Sequence, residues 1–223
     1  MTELKTREFF EFENTSLAYD YVLSFEYPWQ SLSGIGELIW QIGEGLDKGE
    51  YKEVEKGVWV AHDSKIAKSA CILPPCIIDK GAEVRHCAYI RGNAIVGKGC
   101  VIGNSCEIKN SIIFDRAQIP HYNYVGDSII GYRAHMGAGS ITSNIKSDKT
   151  MVTILKNGTK TDTGLRKMGA IIGDFAEIGC GTVLNPGSVI GANTTVYPLS
   201  LVRGYVPRDS IYKAGGEIVR KDK

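Results

Sequence analysis

From Val60 onward an apolar side chain recurs at every sixth position. The series runs Val60, Ile66, Ile72, Ile78, Val84, Ile90, Val96, Ile102, Ile108 and Phe114. It breaks near Pro120, resumes at Ile130 and Met136, and puts Thr142 in the next slot. After a polar stretch it returns at Ile172, Ile178, Leu184, Ile190, Val196 and Val202. Two positions before each large residue the side chain is usually small, as at Ala70, Cys76, Ala82, Ala94, Cys100 and Ala176. One position after it Gly is frequent, as at Gly97, Gly103, Gly131, Gly173 and Gly191. A helix repeats every 3.6 residues and an amphipathic strand every two, so neither generates period six. One large side chain per short strand predicts a narrow, prism-shaped core. The small residue fits a corner, and the Gly is expected to take backbone conformations that a Cβ penalises.

Three segments lie outside the period. Residues 1–57 read as a short α-helical segment. Within it TSLAYDYVLSF begins at a candidate cap, Thr15, and Leu32, Ile35, Leu38, Ile39, Ile42 and Leu46 have helical spacing between Trp29 and Leu46. Trp29, Trp40 and Trp59 are expected as packing anchors. The polar, basic stretch 145–167 is expected to leave the repeat and to turn a hairpin at Asn157-Gly158. The repeat domain therefore spans 58–207, and 208–223 is expected as a partly ordered tail.

Composition narrows the function classes only a little. Lys+Arg is 26 and Asp+Glu is 25, a net charge of +1. That balance gives no general attraction to nucleic acid or to an anionic membrane. No apolar run reaches the roughly 18 residues of a membrane span, and the charged N-terminus lacks the apolar core of a secretory signal. The six Cys form no CxxC pair, so a reduced, cytoplasmic protein is expected. Cys76, Cys100 and Cys106 occupy the small slot and read as core filler.

Chemistry is expected where the repeat breaks, because insertions at coil corners usually build solenoid sites. The break, QIPHYNYVGD, carries His121, a residue type suited to general base work near neutral pH. A surface His in a turn is the alternative. Arg91 and Lys109 both follow a core residue and lie three hexads apart, so they stack one rung apart, about 4.8 Å. Two cations this close repel unless an anion joins them, which suggests a phosphate or diphosphate site. A tolerated solvated pair is the alternative.

The period-six pattern resembles the hexapeptide repeat of left-handed β-helix acyltransferases, in which three hexads make one triangular coil. The segment His121–Asn144 also resembles the acetyltransferase domain of the bifunctional N-acetylglucosamine-1-phosphate uridyltransferase/glucosamine-1-phosphate acetyltransferase family. The match rests on His121, Tyr124, Gly126, Asp127, Gly137-Ala138-Gly139 and Asn144, and extends over roughly Ala82 to Pro207. The resemblance implies an all-β, left-handed parallel β-helix that transfers acetyl from acetyl-CoA to an amino-sugar 1-phosphate. It implies His121 as base, Asn144 orienting the amine or oxyanion, Arg91, Lys109 and Tyr124 on the sugar phosphate, and Ala138 and Cys180 lining the pantetheine. It also implies a homotrimer. His135 stands where the bacterial family has Asn, which bears on acceptor choice. The 145–167 excursion resembles that of the archaeal sugar-1-phosphate nucleotidylyltransferase/acetyltransferases.

The nucleotidyltransferase half of that family is not recognisable in residues 1–57, and that activity is not expected. A γ-type carbonic anhydrase shares the fold but needs three zinc-binding His. His86 and His121 lack a third His at the near spacing, so no metal is expected. A non-catalytic sugar-nucleotide-binding scaffold would have no need of His121, Tyr124, Arg91, Lys109 and Asn144 together.

Overall fold

The computed structural model describes residues 4–11 and 16–222. The chain is a left-handed parallel β-helix of about 9 turns, with short helices ahead of it. Each coil visits three faces. The first carries Val58–Ala61, Cys76–Ile78, Ala94–Val96 and their successors, the second Cys71–Ile72 and Tyr89–Ile90, the third Lys65–Ile66 and Glu83–Val84. Strands stack in parallel register, as in Val58↔Cys76↔Ala94 and Ile72↔Ile90↔Ile108. The large side chains of the period fill the prism: Ile78, Ile90, Val96, Ile102 and Ile108 are fully buried. Cys76, Cys100 and Cys106 lie in the same core, and burial raises all three thiols well above their usual range.

The break in the period has a simple cause. The corner between Ile108 and Ser111 is one residue shorter than that between Ile90 and Ala94, and Ile108 pairs with Val125. Two coils are thus one residue short of three hexads. Ile113, not Phe114, takes the core slot, and Ile119 takes the next. Phe114 points outward and packs edge-on against Phe10 at 5.1 Å. Thr142 keeps its expected slot, buried, with its hydroxyl accepting from the Gly126 amide at 3.0 Å.

The glycines after the core residues serve a different purpose from the one expected. Gly97, Gly103, Gly131 and Gly179 do not have positive φ. They sit where the next rung passes close: a Cβ on Gly103 would lie 1.6 Å from the Pro120 carbonyl oxygen. The left-handed residues form separate corner columns. Cys87, Ser105, Tyr122, Gly139, Gly181 and Leu199 line one, and Gly99, Arg116, Arg133 and Phe175 line another.

On the first face the outward side chains are apolar too. Ile77, Ile95, Ile112, Ile129, Ile171 and Val189 are fully buried in a second cluster. The N-terminal segment covers them with Phe9, Phe10, Trp29, Ile35 and Ile39. Removing each such aliphatic side chain from water contributes about 1.5–3 kcal/mol, which explains why the segment adheres to this face. Its helices are α1 (Tyr19–Leu23) and α2 (Ile35–Glu44). The expected helix from Trp29 to Leu46 divides, with 3-10 turns over Pro28–Gly34 before α2. The candidate cap Thr15 lies outside the described residues. The segment is not wholly helical, since Tyr51–Glu55 pairs antiparallel with Val58–Ala61.

The excursion leaves at the corner between the second and first faces. Its strands Thr153–Lys156 and Thr159–Asp162 form a hairpin turned at Asn157-Gly158. Val152 and Ile154 are fully buried beneath it in the second cluster. The segment expected as a partly ordered tail adds further strands, Ser210–Tyr212 and Ile218–Arg220. Tyr212 supplies the core residue of that coil, and its hydroxyl donates to the Leu201 carbonyl at 2.8 Å.

Candidate active site

The second face carries an outward polar cluster. Side chains alternate along a strand, so Glu107 and Lys109 both point out on either side of buried Ile108. Tyr124 pairs in register with Glu107, and Gly126 with Lys109. A Cβ on Gly126 would lie 2.5 Å from the Tyr124 hydroxyl oxygen, so glycine is what allows the ring to fold across that position. The Tyr124 hydroxyl accepts from the Asn144 amide at 3.1 Å. Burial first, then the Asp127 and Glu107 carboxylates, raise the Tyr124 phenol above its ordinary range.

The two predicted cations stack one rung apart as expected, but each already has a carboxylate. Arg91 donates to Glu107 at 2.6 Å. Lys109 Nζ lies 3.2 Å from Asp127. Asp127 is almost fully buried and also accepts from Asn110 at 2.9 Å and from Asn144. It occupies a left-handed corner with Asn93 and Asn110 in the rungs above, a conformation that Asn and Asp tolerate. Arg91, Lys109, Tyr124 and Asn144 therefore form one connected cluster, closed by Glu107 and Asp127. Sequence reasoning missed both acids as partners. The alternation around Ile108 was enough to find Glu107. Asp127 could be found only by knowing that the coil is one residue short.

His121 lies elsewhere, at the corner where the third face meets the second. Its side chain is exposed and, among the described residues, accepts or donates no hydrogen bond. Its backbone is held firmly. Buried Asn123 accepts from the His121 amide at 3.1 Å and donates to Gly137 and Ser140 carbonyls at 2.8 and 3.0 Å. The His121 carbonyl accepts from Gly139 at 3.0 Å, and the Ala138 carbonyl from Gly181 at 2.8 Å. Hence His121, Ala138 and Cys180 occupy successive rungs of one corner. Cys180 is exposed and free. Tyr122, 65% exposed, and Leu199, 83% exposed, flank this column and give it an apolar margin. The corner and the polar cluster share the second face but are not joined by a side-chain contact among the described residues.

His135 faces outward on the third face, with Nδ1 3.0 Å from Glu177. Among the described residues no three His, Cys, Asp or Glu side chains converge as metal ligands. No helix is long and apolar enough to cross a membrane.

The family described as the GMPPB C-terminal domain matches residues 72–166, which takes in every predicted site residue except Cys180. The bifunctional protein GlmU of Methanococcus vannielii is 39% identical over 135 residues, covering 60% of this chain and 32% of that protein. Over the β-helix, this chain is a relative of the GlmU proteins. The bifunctional sugar-1-phosphate nucleotidylyltransferase/acetyltransferase of Sulfurisphaera tokodaii is 33% identical over 126 residues, covering 56% of this chain and 31% of that protein. The chain thus spans about a third of the length of the curated relatives it matches. Among solved structures, the Bacillus cereus N-acyltransferase AntD, in complex with dTDP-4-amino-4,6-dideoxyglucose and coenzyme A, is 15% identical with a TM-score of 0.44, covering 78% of this chain and 91% of that one.

Proposed function

We propose that the protein is an acetyl-CoA-dependent N-acetyltransferase acting on an amino-sugar phosphate. The observation that carries this reading is the relation of two groups on one face. An exposed His stands at the head of a corner column with Ala138 and Cys180, and the strand beginning at Tyr124 runs from that corner into the Lys109–Asp127–Asn144 cluster. The names of the relatives support it, since one of them is called an acetyltransferase.

In this reading the amino sugar lies across the second face. Its phosphate meets Lys109 and Arg91, its ring lies over Tyr124, and its amine reaches His121. The thioester lies along Ala138 and Cys180. The amine nitrogen attacks the thioester carbonyl, a C–N bond forms and the C–S bond breaks. His121 takes the proton that the amine loses, and the departing thiolate takes up a proton to leave as free CoA. Holding both reactants in the attack geometry supplies much of the acceleration. Cys180 acts as lining, because no base partners its thiol. A homotrimer, in which a neighbouring copy walls the corner, belongs to the same proposal, as does a role in making N-acetylated nucleotide-sugar precursors. The test is CoA release from acetyl-CoA across a panel of amino-sugar phosphates; release with one of them supports the reading, and release with none contradicts it.

A further inference from the structure

Below the polar cluster the second face becomes the floor of a trough. Its outward column continues from Lys109 and Gly126 through Ser143 and Asn185 to Arg203. The hairpin, anchored where Gly187 and Gly204 pass the carbonyls of Thr153 and Leu155, forms the opposite wall. The cleft between them holds about 460 Å³, with Lys146 and Lys160 on the hairpin side and Arg203 on the floor. Lys146 is engaged by Asp148 at 3.5 Å. Lys160 and Arg203 have no carboxylate partner among the described residues. That separates them from Arg91 and Lys109, which Glu107 and Asp127 already neutralise.

The trough begins beside Asn144 and extends down the column for further rungs of about 4.8 Å each. An amino-sugar 1-phosphate lying across the face ends at Lys109 and leaves the trough unfilled. A substrate that carries more phosphate and a nucleoside beyond that point would turn down the column and fill it. Unpaired Lys and Arg opposite neutral Ser, Thr and Asn side chains suit phosphate oxygens together with ribose hydroxyls. The trough lies at the corner opposite to that of Ala138 and Cys180, which favours the acceptor over CoA as its occupant. We infer that this trough receives the nucleotide portion of a nucleoside-diphosphate amino sugar, with Lys160 and Arg203 on its phosphates. The inference rests on the acetyltransferase reading for the sugar end of the ligand, and on the trough itself for the nucleotide end.

The two can be tested apart. Calorimetric titration of the full chain with UDP, GDP, dTDP and 3′,5′-ADP reads the trough without any catalysis. At least one nucleoside diphosphate is expected to bind, and the Lys160→Ala/Arg203→Ala double variant to bind it about tenfold to a hundredfold more weakly, as expected for lost charge-assisted contacts. Both side chains are exposed, so the fold does not depend on them. In the acetyl-transfer assay the same variant is expected to lose at least tenfold more kcat/KM on a nucleotide-linked amino sugar than on its 1-phosphate. Failure of every nucleoside diphosphate to bind overturns the inference. So does a variant weakened for 3′,5′-ADP instead, which assigns the trough to CoA. Nucleoside diphosphate binding without CoA release from any acceptor keeps the trough and sinks the acetyltransferase reading.

Discussion

Lys109 and Asp127 meet across one rung of the second face, the ammonium 3.2 Å from a carboxylate that is almost fully buried. Asn110 and Asn144 donate to the same carboxylate. Replacing one partner of such a pair leaves the other charge poorly compensated. Asp127→Asn is expected to cost about 2–4 kcal/mol of stability, toward the lower end of what breaking a buried pair costs because Lys109 stays partly solvated. Lys109→Met together with Asp127→Asn is expected to cost less than the sum of the two singly. Urea denaturation of the four proteins measures this coupling, and strict additivity would show that the pair does not interact.

Tyr124 makes the alkaline limb of stability testable. Its phenol titrates above the model value of 10.0 in the folded chain because burial and two nearby acids disfavour the phenolate. A raised folded pKa means stability that is complete below about pH 10 and is lost as pH rises through the folded value. Tyr21 and Tyr51 are raised as well. Tyr124→Phe is therefore expected to flatten, but not abolish, the fall in urea midpoint between pH 9 and 11. A profile as steep as wild type would mean that the Tyr124 environment has been misread.

The two classes of glycine predict different costs. Gly103→Ala drives a Cβ into the Pro120 carbonyl, and backbone cannot yield as a side chain does. It is expected to cost about 3 kcal/mol or more, in the range of severe overpacking. Gly139→Ala meets nothing within 4 Å but sits at φ +69°, so about 1–2 kcal/mol is expected. Thermal melts of the two variants rank them directly, and equal costs would contradict the distinction.

Ile95 lies on the buried outer side of the first face. Ile95→Ala is expected to cost about 2–5 kcal/mol, the range for truncating a fully buried aliphatic residue. It should also loosen the N-terminal segment, read as faster proteolytic removal of α1 and α2 at an unchanged β-helix. Cleavage as slow as in wild type would mean that the segment is not held by this face.

The period-six core was fully legible, because every hexad spends one large side chain on the prism. The hairpin at Asn157-Gly158 was legible for an equally local reason, a turn that needs two left-handed residues. What the sequence hid was longer-ranged. The shortened corner at Asn110 shifted Ile113 into the slot assigned to Phe114. The buried outer face was written as a repeat of every third hexad, in which Ile77, Ile95, Ile112, Ile129 and Ile171 each precede a core residue; a search for period six alone passes over it. In the candidate site, Arg91 and Lys109 stack as their spacing required, whereas their neutralisation by Glu107 and Asp127 depends on register between coils. The separation of His121 from that cluster follows from which corner each residue turns, and corners are not marked in a hexad count.

The central claim is that this face transfers an acetyl group to an amino sugar with His121 as the base. The most direct measurement is CoA release from acetyl-CoA by the wild type and by His121→Ala, with the acceptors in parallel. The imidazole is exposed and makes no side-chain hydrogen bond among the described residues, so the variant is expected to melt like wild type. The account predicts acceptor-dependent release that falls by about 10²–10⁴-fold in the variant, the usual range for a lost general base. Undiminished release in a folded His121→Ala protein would contradict it.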